Sequence, residues 1–343
     1  LPDGVWELTV RQVDGSGNRS AVSAPLALTI DSVTPAAPSA PALASGSDTG
    51  YLADRTSDNS PTLSGVVEAH AAVQVYDGAA LVATVTADAS GLWSATLGSA
   101  TALTEGVHSL TVKQIDRAGN ASTASPALAL TIDTTAPGAL SAPDLDQASD
   151  SGSSSTDNIT NDATPTFSGG GALAGAEVAL ILGSSEIGRA TADASGNWSI
   201  TSSALANGAH QVRVRQFDLA GNQGPDSDPL SVTIDTVGPV LTAFYNDRTL
   251  KQFELMFSEK IVFHSDGVFT LLRNDNVRRT YSGDNDSNWD IVEASGGKRV
   301  LILDIGMNGT FNLSLNNENA IQDMAGNAAE IIGTPSWEPS PSI

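Results

Sequence analysis

Apolar and polar residues alternate along much of this chain. His108, Leu110 and Val112 are separated by Ser109, Thr111 and Lys113, and His210, Val212 and Val214 by Gln211, Arg213 and Arg215. Successive side chains on an extended backbone point to opposite faces, so this period of two predicts half-buried antiparallel strands. Val73–Tyr76 and Leu128–Ile132 carry the same pattern. Clusters of Gly, Asp and Asn break the runs, as turns between short strands require. Trp93 and Trp198 each follow such a turn and are expected to cap an apolar core. The elements predicted are short strands throughout, with almost no helix.

The pattern repeats. Val13-Asp14-Gly15-Ser16-Gly17-Asn18 returns as Ile115-Asp116-Arg117-Ala118-Gly119-Asn120 and as Phe217-Asp218-Leu219-Ala220-Gly221-Asn222, each time 102 residues on. Leu28-Thr29-Ile30-Asp31 returns at the same interval as Leu130–Asp133 and Val232–Asp235, with Pro35, Pro137 and Pro239 close behind. A unit of this length is one stacked module of a tandem array. Residues 1–34 read as the C-terminal part of a truncated repeat, 35–135 and 136–237 as complete repeats, and 238–343 as a divergent fourth unit. That last unit keeps Asp323-Met324-Ala325-Gly326-Asn327 but holds 10 of the 17 aromatic residues and half of the 16 basic ones. About seven short strands in roughly 100 residues is the signature of an immunoglobulin-like sandwich. The expected fold class is therefore all-β, with tandem immunoglobulin-like β-sandwiches in an extended array.

Composition narrows the function. Sixteen basic residues against 39 acidic ones give a net charge of −23. Such a surface repels nucleic acid and anionic lipid, both of which are held through Lys and Arg. No apolar run approaches the ~20 residues that span a bilayer. There is no Cys, so disulfide bonds are excluded as cross-links. The opening Leu1-Pro2-Asp3-Gly4 has neither an initiator Met nor a leader segment, and the chain is expected to be cut from something longer. A thiol nucleophile, His-Glu-x-x-His, Gly-x-Ser-x-Gly and a phosphate-cradling Gly-rich loop are all missing from the sequence, which predicts no catalysis. His108 and His210 occupy equivalent strand positions that Trp6 fills in the first unit, so that slot is expected to serve packing. His70 and His264 have no companion that the sequence can place.

The placement of the acids points to a metal. Ca²⁺ takes six to eight hard oxygens from carboxylates, amides, backbone carbonyls and water. Around the first joint stand Asp14, Asp31, Asp48 and Asp58. Asp116, Asn120, Asp133, Asp150, Asp157 and Asp162 surround the second, and Asp218, Asn222, Asp235 and Asp247 the third. No Lys or Arg occurs between Ala118 and Gly188. Two carboxylates ~5 Å apart at an effective dielectric of ~20 repel by roughly 3 kcal/mol, so a cluster must be solvated, spread out or holding a cation. Asp and Asn also form turns on their own. Recurrence at both ends of every unit favours calcium over turn chemistry alone. Asp88 and Asp193, before Ala-Ser-Gly, are explained by hairpin turns. Asp284, Asp286, Asn288 and Asp290 have the spacing that opens a calcium loop, but Trp289 stands where such a loop needs Gly.

The run Asp157-Asn158-Ile159-Thr160-Asn161-Asp162-Ala163-Thr164-Pro165-Thr166-Phe167-Ser168-Gly169, the Asp-x-Ala-Gly-Asn loops and the Thr131-Ile132-Asp133-Thr134-Thr135-Ala136-Pro137 linker resemble the bacterial immunoglobulin-like repeats of giant surface adhesins and biofilm-associated proteins. The resemblance covers 1–237. Over 238–343, Phe257-Ser258-Glu259-Lys260-Ile261 is similar to another bacterial immunoglobulin-like subtype. It implies an extracellular, non-catalytic stalk whose joints calcium stiffens. Neighbouring repeats of the same chain would be its partners, and a host or biofilm ligand would be met through another part of the parent protein. Two other functions fit the sequence: a carbohydrate- or protein-binding module at 238–343, or an accessory stalk of a secreted hydrolase.

Overall fold

The structure, a computed structural model, describes residues 1–152 and 154–247, then 252–258, 262–263, 268–273, 278–282, 289–290, 299–302, 311–315, 321–322 and 324–329. The chain divides into two compact units. One comprises Leu1–Pro137 with Phe217–Gly224, the other Gly138–Gln216 with Pro225–Ile343.

The first unit opens with an antiparallel hairpin, β1 (Gly4–Leu8) and β2 (Leu26–Ile30). The sandwich that follows contains β3 (Ala42–Leu43), β4 (Arg55–Thr56), β5 (Thr62–Val66), β6 (Ala72–Asp77), β7 (Ala80–Thr86), β8 (Leu92–Thr96), β9 (Gly106–Ile115) and β10 (Leu128–Ile132). Its sheets run β3-β5-β8 and β4-β10-β9-β6-β7. The second unit repeats this with β11 (Asp144–Leu145), β12 (Ile159–Thr160), β13 (Thr166–Gly169), β14 (Glu177–Leu182), β15 (Ser185–Thr191), β16 (Trp198–Thr201), β17 (Gly208–Phe217, its last residue grouped with the first unit) and β18 (Leu230–Ile234). The order is again β11-β13-β16 and β12-β18-β17-β14-β15. Period-two alternation is realised in β9, where the buried Leu110, Val112 and Gln114 alternate with the half-buried Thr111, Lys113 and Ile115. The only helix among the described residues is the short 3₁₀ turn Ser99–Thr101.

Each sandwich has eight strand segments rather than the seven expected, because its first strand is split. Ala42–Leu43 pairs antiparallel with β5. After a turn closed on the carbonyl of Ala44 by the Ser47 and Asp48 amides, Arg55–Thr56 crosses to the other sheet and pairs parallel with β10. In the second unit Ile159–Thr160 pairs parallel with β18. The residue that turns the chain into the short parallel strand is Asp54 or Asn158, both at φ 59°. Asp and Asn tolerate that left-handed backbone better than most side chains.

One core fills each sandwich: Leu63, Val73, Trp93, Leu110, Leu130 and Ile132 are members in the first unit, and Phe167, Leu180, Trp198, Val212 and Ile234 in the second. The tryptophans lie over glycines on the adjoining strand, Trp93 opposite Gly65 and Trp198 opposite Gly169. A Cβ at Gly65 would stand 2.9 Å from the Trp93 ring nitrogen, and one at Gly169 2.4 Å from Trp198 Cζ2. Only glycine leaves room for the ring.

In the divergent region the strands are β19 (Leu241–Asp247), β20 (Gln252–Phe257), β21 (Val262–Phe263), β22 (Val268–Arg273), β23 (Arg278–Ser282), β24 (Trp289–Asp290), β25 (Arg299–Ile302), β26 (Phe311–Leu315) and β27 (Ile321–Gln322). They form sheets β19-β20-β25-β24, β21-β27 and β23-β22-β26. Asp290 lies on β24 and Asp247 on β19, with only their backbone described, while Asp284, Asp286, Asn288 and His264 fall outside the described residues.

Candidate functional site

The chemistry-bearing residues converge where one repeat hands over to the next. The loop after β9 is closed by Asp116. Its Oδ1 accepts the amides of Ala118 and Asn120, and its Oδ2 accepts Asn120 Nδ2 at 2.8 Å. Gly119, at φ 98°, completes the turn. The side-chain hydrogen bond from Asn120 leads the contacts that hold the Asp116 carboxyl below its usual range. Asp14 with Asn18 and Asp218 with Asn222 form the same loop, and Asn18 likewise leads in lowering Asp14.

The asparagine also reaches outward. Asn120 Nδ2 donates to the main-chain oxygen of Asp31, 3.0 Å away and 89 positions earlier. Asn222 donates to Asp133 O at 2.7 Å, and Asn327 to Asp235 O at 2.5 Å. Asp31, Asp133 and Asp235 use their own Oδ1 to accept the amide two residues on, at Val33, Thr135 and Val237. The intervening residue is held as well. Asp3 accepts the Ser32 amide and hydroxyl, Glu105 those of Thr134, and Asn207 those of Thr236. Because Asp, Glu and neutral Asn alternate there, that slot needs an acceptor and not a charge.

A second clamp lies beyond each proline. Gln114, 4% exposed, donates from Nε2 to Ala36 O and accepts the Glu68 amide on Oε1. Gln216 does the same for Gly138 O and the Leu173 amide. Within the first unit the linker from Asp31 to Ala36 is therefore fastened at both ends, by Asn120 and Gln114. Sequence patterning marked neither glutamine. Their signal was a polar residue on the apolar phase of β9 and β17.

The opening of each repeat differs between the two. Asp48 is exposed, and Asp58 accepts the Ser60 amide. Asp157 Oδ1 accepts the Ile159 amide, while Asp162 accepts the Thr164 amide and the Ser149 hydroxyl. Asp150 stands apart: it is 6% exposed, its Oδ1 has no partner, and its Oδ2 lies 3.4 Å from the Asn158 amide, with the Ile159 amide also acting on the carboxyl. Burial, reinforced by the charges of Asp157 and Asp144, raises its carboxyl above the ordinary value. Among the described residues no three His, Cys, Asp or Glu side chains are grouped so as to hold a metal ion. The loop acids Asp14, Asp116 and Asp218 spend oxygens on their own turns. Among the described residues, Asp150 Oδ1 is a buried carboxylate oxygen without a hydrogen-bond donor. Asp88 and Asp193 serve as turn formers, each accepting two amides of its own hairpin.

The slot shared by Trp6, His108 and His210 is more than packing. Each ring nitrogen meets the carbonyl four residues back: Trp6 Nε1 and Pro2 O at 2.9 Å, His108 Nε2 and Thr104 O at 2.9 Å, His210 Nε2 and Ala206 O at 2.7 Å. Indole and imidazole both place an N–H there. His108 Nδ1 also faces Asp77 Oδ2 at 2.8 Å. Burial disfavours its cation, but the Asp77 hydrogen bond, the Thr104 carbonyl and the Asp77 charge together raise its pKa above the usual histidine value.

The bacterial Ig-like domain family matches residues 34–134 and again 138–236. Exoglucanase B of Cellulomonas fimi is 32% identical over 249 residues, covering 67% of this chain and 20% of the exoglucanase. The chain thus spans about a fifth of that relative's length. Among solved structures, a Ca²⁺-stabilised adhesin with which an Antarctic bacterium binds ice is similar over 91% of this chain and 80% of its own, at 18% identity and TM-score 0.32. A tetra-tandem repeat from the extending region of a large adhesion protein covers 98% of this chain and 82% of its own, at 19% and 0.24. Fibronectin(III)-like modules of CbhA from Clostridium thermocellum cover 57% and 94%, at 15% and 0.35. Two tandem matches account for more than half of the residues, and on them the chain belongs to the bacterial Ig-like domain family.

Proposed function

We propose that this chain is a non-catalytic extender segment of a secreted bacterial cell-surface adhesin, serving cell adhesion or biofilm formation by holding a binding element away from the cell. The observation that carries the reading is the recurrence of one joint. Asn120, Asn222 and Asn327 each tie their loop to the Asp that ends the preceding repeat. Chemistry concentrated at joints, with each core closed on itself, suits a spacer better than a catalyst. The reading makes the segment extracellular, with neighbouring repeats as its partners and any host or biofilm ligand engaged elsewhere in the parent.

Calcium belongs to this reading as the ion that stiffens the joints. Asp150 is the ligand best supported by its surroundings, with Asp157 and Asp144 supplying further negative charge. Extracellular modules bind calcium at about 10⁻⁴–10⁻³ M, and a site at ten times its dissociation constant adds roughly 1.4 kcal/mol by mass action. Millimolar calcium should therefore raise the melting temperature and lengthen the maximum dimension seen by small-angle scattering. The same dimension with calcium and with chelator would defeat the stiffening role.

A second reading has one observation in its favour. The 32% identity to an exoglucanase suits an accessory stalk of a secreted hydrolase. Deleting 35–237 from the parent separates the two. An adhesin loses reach and surface attachment, whereas a hydrolase keeps its turnover and changes only how it addresses an insoluble substrate. Either way the purified segment should hydrolyse no ester, glycoside, peptide or phosphate substrate.

A further inference from the structure

The joint has a second half that the asparagine clamp does not explain. Thr49 Oγ1 donates to Ala220 O at 2.8 Å, and the Tyr51 amide to Leu219 O at 3.1 Å. All of these residues lie in the first unit. The backbones meet so closely that a Cβ at Gly221 would stand 2.2 Å from Thr49 O, and one at Gly50 2.8 Å from Leu219 O as well as 2.3 Å from Arg55 O of its own turn. The second unit builds the same contact from different residues. Ser151 Oγ donates to Ala325 O at 2.5 Å. A Cβ at Gly152 would lie 2.2 Å from Met324 O, and one at Gly326 2.8 Å from Gly152 N.

We infer that the hydroxyl–glycine turn at Thr49-Gly50 or Ser151-Gly152 is a recognition surface for the Ala-Gly-Asn loop of another Ig-like repeat. Glycine on both sides lets the two backbones interlock, and the hydroxyl latches the carbonyl of the buried alanine, Ala220 or Ala325. Being made of backbone shape and neutral groups, the interlock needs no metal. It also gives a physical reason for what the divergent unit retains. Ala325-Gly326-Asn327 is the part that the Ser151 turn and the Asp235 carbonyl grip. The loop keeps the same backbone where nothing grips it. Gly17 and Gly119 sit at φ 89° and 98°, like Gly221 at 88°, yet a Cβ at either would meet nothing within 4 Å. Leu1–Ser32 contain no counterpart of the Thr49 turn, so Gly119 provides an internal control.

The inference deepens the extender reading and rests on it for its purpose, but its test does not depend on adhesion. Hydrogen exchange at the Tyr51 amide would be compared in the full chain carrying Gly221→Asn or Gly119→Asn. Asn accepts a left-handed backbone at small cost, so the added Cβ is the main difference. Gly221→Asn should speed Tyr51 exchange about tenfold or more, as local opening predicts, with amides of β9 and β17 unchanged. Gly119→Asn should leave Tyr51 as it is. Thr49→Val should loosen Tyr51 and Thr49→Ser should not, which preserves the test if Gly221→Asn does not fold. Chelator should leave Tyr51 protection in place. Unchanged exchange in Gly221→Asn, equal behaviour of the two Thr49 variants, or loss of protection on chelation would each overturn the interlock. Failure of the adhesin reading would show instead as undiminished attachment by a parent lacking 35–237.

Discussion

Asn222 Nδ2 donates both to Asp218 Oδ2, four residues before it, and to the main-chain oxygen of Asp133, 89 residues before it. One amide group thus closes its own loop and grips the residue that follows β10. Asn222→Ala removes both bonds. It should cost about 1–3 kcal/mol, the range for leaving buried partners unsatisfied. Asn18 makes only the bond within its loop, so Asn18→Ala should cost less. Thermal melting of the two variants side by side checks the ordering.

Gly169→Ala should destabilise the second sandwich by about 1–3 kcal/mol, the usual cost of overpacking. The new methyl would meet the Trp198 ring, 2.4 Å from Cζ2. Gly65→Ala should cost less, since the Trp93 ring lies farther off, at 2.9 Å. Near-ultraviolet circular dichroism, which reads the tryptophan environment, should shift with each. An unchanged melting curve for Gly169→Ala would show that the ring can move aside.

The pair of His108 and Asp77 gives the repeat at 35–135 a pH dependence. The folded pKa of His108 lies above the unfolded value of 6.5. Its stabilising contribution is therefore complete below about 6.5. It fades as pH rises through the folded value. Asp77→Asn should remove most of this slope, measured as the melting temperature between about pH 5.5 and 8.5.

Asp150 titrates in the opposite chemical sense. Burial leads in raising its carboxyl above 3.8. The cost of ionising it is absent below that value and complete above its folded pKa, where an oxygen without a donor carries charge inside the protein. Asp150→Asn should raise the melting temperature in chelator and shrink the gain that calcium gives the native chain. A variant that keeps the full calcium response would remove Asp150 from the ligand set.

Much of this architecture was legible in the sequence. Alternation over 108–113 and 210–215 placed the central strands, and the 102-residue interval marked the loops that Asp116 and Asp218 close. The split first strand was not legible, because a two-residue segment such as Arg55–Thr56 carries no periodicity. The histidine slot was read as packing, since its partner is a carbonyl that no side-chain pattern reveals. Asn120 and Asn222 were singled out as oxygen ligands, whereas the hydrogen bonds described use their nitrogens as donors. Amide side chains offer both chemistries, and spacing alone does not choose between them.

The parallel pairing of Arg55–Thr56 with Thr131–Ile132 bears on how a repeat responds to force. The first of these strands enters near the start of the repeat and the second leaves at its end, running the same way. Tension between the two termini would slide one past the other instead of peeling them apart. The bonds from the Thr131 amide to Asp54 O and from the Asp133 amide to Thr56 O, 2.9 and 3.0 Å long, would then carry the load together. The same bracing recurs where the Thr233 and Asp235 amides reach Asn158 O and Thr160 O. Because yielding under load is governed by the unfolding barrier and not by equilibrium stability, bonds strained in unison would resist a pull that would open the same bonds easily one at a time.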